Sequence, residues 1–223
     1  MSDESFIREV NEEIRQEKAK ALWGSYGPYL ILAAVLLVLA TGVYQIYNHW
    51  QTSKAGRIGD TFLISLDLAN EHNFDEALNK LDDVEKSAFG DYSYLSQLRQ
   101  ASIFMEQGDA AKAVAGFDKI ADNKDAPEIL KKIAKIRAAY ILVDTGSFND
   151  VEKRVKDLAN DVDPTRIMAR EALGLSAYKA GKMDDARYYF QKIVDEHLDG
   201  IKATERSRLM LELMQGAGAT AKE

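Results

Sequence analysis

Residues 107–121 read QGDAAKAVAGFDKIA, and three other stretches repeat their plan: HNFDEALNKLDDV (72–84), TGSFNDVEKRVKDLA (145–159) and AGKMDDARYYFQKIV (180–194). Aligned on His72, Gly108, Gly146 and Gly181, successive turns lie 36, 38 and 35 residues apart. Five residues after each turn stand Ala77, Ala113, Val151 and Ala186. Four further on come Leu81, Phe117, Val155 and Phe190, and then Val84, Ile120, Leu158 and Ile193. Seven residues before each turn stand Ser65, Ala101, Ala139 and Gly174, all small. Apolar residues at helical spacing on both sides of a turn predict helical hairpins. A small residue on each helix lets two backbones approach closely, and the larger residues then face the next hairpin.

Helix signals agree with this register. Asn73, Asp109 and Ser147 suit the N-caps of the second helices, and Asn73 with Glu76 reads as a capping box. Asp163-Pro164 is expected to open the fourth hairpin sharply. A period near ~34 residues with these small positions resembles the tetratricopeptide repeat. The pattern is degenerate. The aromatic expected three residues after the small first-helix position is Phe104 once, but Leu68, Leu142 and Ala177 elsewhere. The last segment, GIKATERSRLMLELMQ, reads as a closing helix and GAGATAKE as a frayed tail.

Upstream of the repeats, residues 23–50 read WGSYGPYLILAAVLLVLATGVYQIYNHW. Charges stop at Lys20 and resume at Lys54, and a helix needs ~20 apolar residues to span the hydrocarbon layer. Pro28 suits a first helical position. Trp23, Tyr26 and Tyr29 flank one end, and Tyr44, Tyr47 and Trp50 the other. As a helix, the two tryptophans stand roughly 40 Å apart, the depth at which aromatic rings favour the two interfaces. A core helix rarely runs so long without charge. A cleaved signal peptide does not fit the long acidic head, although Ala40-Thr41-Gly42 offers a small-x-small site. The segment therefore reads as a retained single span. Arg15, Lys18 and Lys20 precede it and Lys54 and Arg57 follow, so the positive-inside rule favours a cytosolic N-terminus by one charge.

The head, SDESFIREVNEEIRQEKAKAL, is expected to be an amphipathic helix with Phe6, Val10, Ile14 and Ala21 on one stripe. The fold class is thus all-α: one transmembrane helix followed by a tetratricopeptide-like hairpin solenoid. The expected organisation is a cytosolic head (1–27), the span (28–47), a juxtamembrane linker (48–60), four hairpins (61–198), the closing helix (199–215) and the tail (216–223).

Chemistry is conspicuous by its absence. The chain has 223 residues, net charge -7 and no cysteine. Thiolate metal sites, disulfides and a lipobox are excluded. Outside the head and span the net charge is -5, which argues against a nucleic-acid partner. His49, His72 and His197 have no metal-like spacing. Gly174 with Gly181-Lys182 fails the P-loop spacing, and Ser176 in GLSAY lacks the second glycine and the sheet of a nucleophile elbow. No catalytic residue, cofactor, metal or small-molecule substrate is expected, and the chain reads as no enzyme.

First helices of such repeats line the concave face. Extending the register gives Leu95, Ile133 and Met168, then Phe62, Leu98 and Ile136, with Tyr140 and Tyr178 beyond, as candidate partner-binding residues. This row suits an amphipathic or unfolded segment. The same residues can instead be core, or be covered by the closing helix.

The order of features, with KALW before the span, YQIYNHWQTSKAGRIG after it and RAAYILVDTGSFNDVEKRV in the third hairpin, resembles the YfgM-type family of bacterial inner-membrane proteins, ancillary subunits of the Sec translocon. The resemblance implies a cytosolic N-terminus, a periplasmic repeat domain, and association with a SecYEG-type translocon and a membrane-anchored periplasmic chaperone of the prolyl-isomerase-like type. The implied role is handing translocated chains to folding factors. A tetratricopeptide adaptor of another envelope machine, in division or outer-membrane assembly, is the alternative. The head is longer than in shorter-headed members.

Overall fold

The computed structural model describes the backbone of residues 3–198 and 200–220; side chains are described for residue 8, 12–18, 20–198 and 200–216. Among these residues every regular element is helical. The elements are α1 (Asp3–Asn70), α2 (Phe74–Lys86), α3 (Tyr92–Glu106), α4 (Ala110–Ala121), α5 (Glu128–Thr145), α6 (Phe148–Val155) with a 3-10 turn (Lys156–Ala159), α7 (Arg166–Lys179), α8 (Met183–Val194) and α9 (Lys202–Thr220). The chain divides into two compact units, residues 1–57 and 58–223.

In the first unit, residues 28–50 are exposed around the whole helix circumference. Tyr29, Leu37 and Ile46 show 71, 68 and 74% of their surface. A helix apolar on all sides needs an apolar surrounding to bury it. This helix, near the N-terminus, is long and apolar enough to cross a membrane. The Thr41 hydroxyl donates to the Leu37 carbonyl at 2.6 Å, which removes its need for water. Lys54 Nζ lies 5.6 Å from the Trp50 ring centroid. Pro28 is inside α1, not at a first helical position. The helix runs on through it, and the missing N–H orphans only the exposed Gly24 carbonyl. The stretch 48–60, expected as a linker, is helical. Of the head's expected stripe, Ile14 and Ala21 are exposed, and the side chains of Phe6 and Val10 lie outside the described residues.

In the second unit all sixteen register positions are buried. Ser65, Ala101, Ala139 and Gly174 are buried on the first helices, and Ala77, Ala113, Val151 and Ala186 on the second. The larger pairs from Leu81 with Val84 to Phe190 with Ile193 are buried beside them. The reason for small residues is direct. A Cβ on Gly174 would sit 2.8 Å from the Phe190 ring, and one on Gly116 would sit 2.9 Å from Ala101 Cβ. The clusters run on from hairpin to hairpin: Leu98, Phe117, Ala134 and Ile141 join the second to the third, and Ile136, Val151, Ala169 and Leu173 the third to the fourth.

Three turns share one geometry. His72, Gly108 and Gly181 have φ of 60, 83 and 73°. The next N–H in each case (Asn73, Asp109, Lys182) donates back to Leu68, Phe104 or Ala177 at 2.8–2.9 Å. This is a Schellman motif, for which glycine is the natural residue. His72 takes the left-handed conformation despite its Cβ, with its ring edge-on to Phe74 at 5.5 Å. The third turn differs: Gly146 is extended at φ -118° rather than left-handed, with a Cβ there 2.8 Å from Leu142 Cδ2 and 3.2 Å from the Leu142 carbonyl oxygen. Ser147 with Asp150 forms a full capping box, and Asp109 accepts from the Lys112 N–H at 3.0 Å. The box expected at Asn73 does not form. Its amide donates to Glu76 Oε2 at 2.9 Å, a charge-assisted bond that uses the side chain up.

Helix α9 packs on the fourth hairpin through Ala203, Ser207, Met210 and Met214 and leaves Glu205, Arg208 and Glu212 outward. A charged outer face ends a stack. The helix runs to Thr220, into the stretch expected as tail; residues 221–223 lie outside the described residues.

Two substitutions test the packing. Gly174→Ala should lower stability by about 1–3 kcal/mol, because a fully packed ring cannot give way. Ser207→Ala should raise it by roughly 0.5–1 kcal/mol, since the buried Ser207 hydroxyl has no hydrogen-bond partner. Thermal melting of the two variants should therefore move in opposite directions.

Candidate partner-binding face

The first helices of the hairpins, namely the C-terminal part of α1 with α3, α5 and α7, carry the candidate residues. Leu98 and Ile136 are 8 and 4% exposed and belong to the core clusters. Leu95, Ile133, Tyr140 and Tyr178 are half-buried. Phe62 is also half-buried, its ring edge-to-face with Tyr92 at 5.9 Å. Met168 is exposed. Of these eight, only Tyr140 lines the groove between α3 and α5.

That groove has a volume of about 320 Å³ and is lined by Ser102, Met105, Glu106, Phe117, Arg137, Tyr140 and Ile141. Phe117, from α4, reaches it between the two first helices. Arg137 Nη1 donates to Ser102 Oγ at 2.6 Å, and its guanidinium carbon lies 5.9 Å from the Phe117 ring centroid. Arg99 reaches Glu106 at 2.8 Å. The walls are thus mainly apolar, with charge at the rim.

Polar bridges link the same face onward to α9. Glu171 on α7 is buried; it accepts from the Tyr140 hydroxyl at 2.5 Å and from Arg206 Nε and Nη2 at 2.6 and 2.9 Å. Burial, and then the bond to Glu171, push the Tyr140 phenol well above its ordinary range. The bond to Glu171 raises Arg206 further. A two-toothed grip on a buried carboxylate fixes α9 against α7 and α5.

At the fourth hairpin's entrance, buried Asp163 accepts from the Thr165 N–H and hydroxyl at 2.8 and 2.6 Å, and from Lys132 Nζ at 2.6 Å. Burial alone would raise its pKa, but these donors bring it down to about 2. Arg166 and Arg170 both hold Glu196, whose carboxyl is lowered mainly by Arg166. Among the described residues no three His, Asp or Glu side chains gather as a metal ion would require.

The register from small and apolar residues did not single out Ser102, Met105, Arg137, Glu171 or Arg206. Their signal is the same period, carried by polar partners. Ser102 and Arg137 are 35 residues apart, as are Glu171 and Arg206, and Asp118 and Arg154 are 36 apart.

Compared with family models, residues 20–212 match one described as a tetratricopeptide repeat-like domain. No curated protein and no solved structure matches the chain.

Asp163 sets a pH dependence. Its folded pKa lies below the ordinary value near ~3.9, so folding favours the carboxylate. The stabilisation is complete above about pH 4 and is lost as pH falls towards about 2. Asp163→Asn should cost on the order of 2 kcal/mol at pH 7, and urea melts should show the gap to wild type closing between about pH 4 and pH 2.

Proposed function

The chain belongs to the tetratricopeptide repeat-like family, and from that premise we propose that it is a membrane-tethered, non-enzymatic scaffold linking a Sec-type translocon to periplasmic chaperones. Domains of this family are in general non-catalytic modules for protein–protein interaction. The observation that carries the reading is the pairing of an all-round apolar helix (residues 28–50) with a hairpin stack whose first-helix face keeps apolar side chains open. Met105 on α3 and Met168 on α7 are exposed at 43 and 41%. The resemblance of KALW, YQIYNHWQTSKAGRIG and RAAYILVDTGSFNDVEKRV to the YfgM-type family supplies the translocon and the chaperone.

In this reading the head is cytosolic, the span sits in a bacterial inner membrane and the repeats work in the periplasm. Tethering keeps the apolar face beside the point where unfolded chains emerge, and local concentration then replaces high affinity. Partners dock on the first-helix face through Tyr140, Met168 and Tyr178, with Phe62, Leu95 and Ile133 at its half-buried margin. Leu98 and Ile136 shape that face from the core below.

Affinity purification in mild detergent should recover translocon and chaperone subunits; recovery of division or outer-membrane assembly subunits in their place would favour the envelope-adaptor reading. Protease added outside spheroplasts should digest the repeats, and their protection would refute the periplasmic placement. Met168→Asp should lower capture several-fold with unchanged melting, whereas Leu98→Asp should unfold the domain.

A further inference from the structure

The groove between α3 and α5 holds a cation that the fold itself does not neutralise. Arg99, Arg154, Arg166, Arg170 and Arg206 each grip a carboxylate. Arg137 does not. Its partners are neutral: the Ser102 hydroxyl and the Phe117 ring. Glu106, the carboxylate on the same groove, is taken by Arg99. The Arg137 side chain is exposed, and its bond through Nη1 leaves further N–H donors of the planar fork available.

A hydroxyl and an aromatic face fix the guanidinium without cancelling its charge. Beside apolar walls a charge-assisted bond gains strength over the same bond in open water. The rest of the unit is acidic, so a generally acidic partner is repelled. One carboxylate delivered at this spot is not. Exposed apolar side chains also stand on the following helices, at Met168 on α7 and Leu209 on α9. That spacing suits a chain segment laid across several helices; a single acyl chain would fill only the groove.

Resting on the reading of this face as the docking surface, we propose that Arg137 selects its partner. The occupant is an amphipathic polypeptide segment that lays apolar side chains along the groove and presents one Asp or Glu carboxylate to the Arg137 guanidinium. Arg137 is thereby the specificity-determining residue of the face.

The test uses the full chain in lipid nanodiscs, with empty nanodiscs as the background. Two fluorescent amphipathic peptides of Leu, Ala and Ser are compared, identical except for one central Glu or Gln. Wild type should bind the Glu peptide about tenfold more tightly. Arg137→Gln should abolish that preference while the variant still melts as a folded protein. Arg137→Lys, which keeps the charge but loses the fork, should retain part of it. Equal binding of both peptides to wild type, or a preference that survives in Arg137→Gln, overturns the selection and leaves the docking face standing. Binding of neither peptide overturns both. If laurate binds with Arg137 dependence and the peptides do not, the occupant is a lipid acid and the proposal falls.

Discussion

Everything in the repeat unit depends on how closely two helical backbones can lie within one hairpin. At Gly174 the facing Phe190 ring occupies the place a Cβ would need, and at Gly116 the Ala101 methyl does. That approach brings the larger residues of each second helix, such as Phe117 and Ile120, against the first helix of the next hairpin. A stack of this kind has no single centre. Each hairpin buries its outer surface only because a neighbour follows, so both ends of the stack need their own solution.

The C-terminal end is closed by α9, and its closure is mostly polar. Glu171 carries a buried charge that two hydrogen bonds from Arg206 and one from Tyr140 satisfy together. Removing any one partner leaves the carboxylate under-satisfied in a dry place, a more costly state than an apolar core would give. The same logic holds around Asp163 and Glu196, where cations from two hairpins meet carboxylates. These bridges make the alignment of successive first helices definite, and with it the shape of the exposed face.

That face combines exposed apolar side chains with charges held in place. Met105 and Met168 can adapt to different apolar partners, while Arg137 is oriented by a hydroxyl and a ring. In the proposed role the apolar helix of residues 28–50, long and apolar enough to cross a membrane, would add location to recognition, since tethered binding can be weak and still be effective.

The hairpins were legible because their signal is local and repeated. Small residues at one register position and large ones three or four residues on mark a helix face whatever packs against it, and all sixteen positions are buried. Pro28 and Asn73 read less well, since each has two uses and the surroundings choose: Pro28 lies within α1, and the Asn73 amide serves Glu76. Along the first helices, the row holding Leu98 and Ile136 is core while Met168, in the other row, is open, because an apolar side chain does not itself show whether a neighbouring helix covers it. The composition and period of this chain by themselves determined an all-helical stack behind an apolar helix. Only tertiary structure decided that Arg137 meets a hydroxyl and a ring while Arg206 meets a carboxylate, because pairing depends on distances between residues some 35 positions apart.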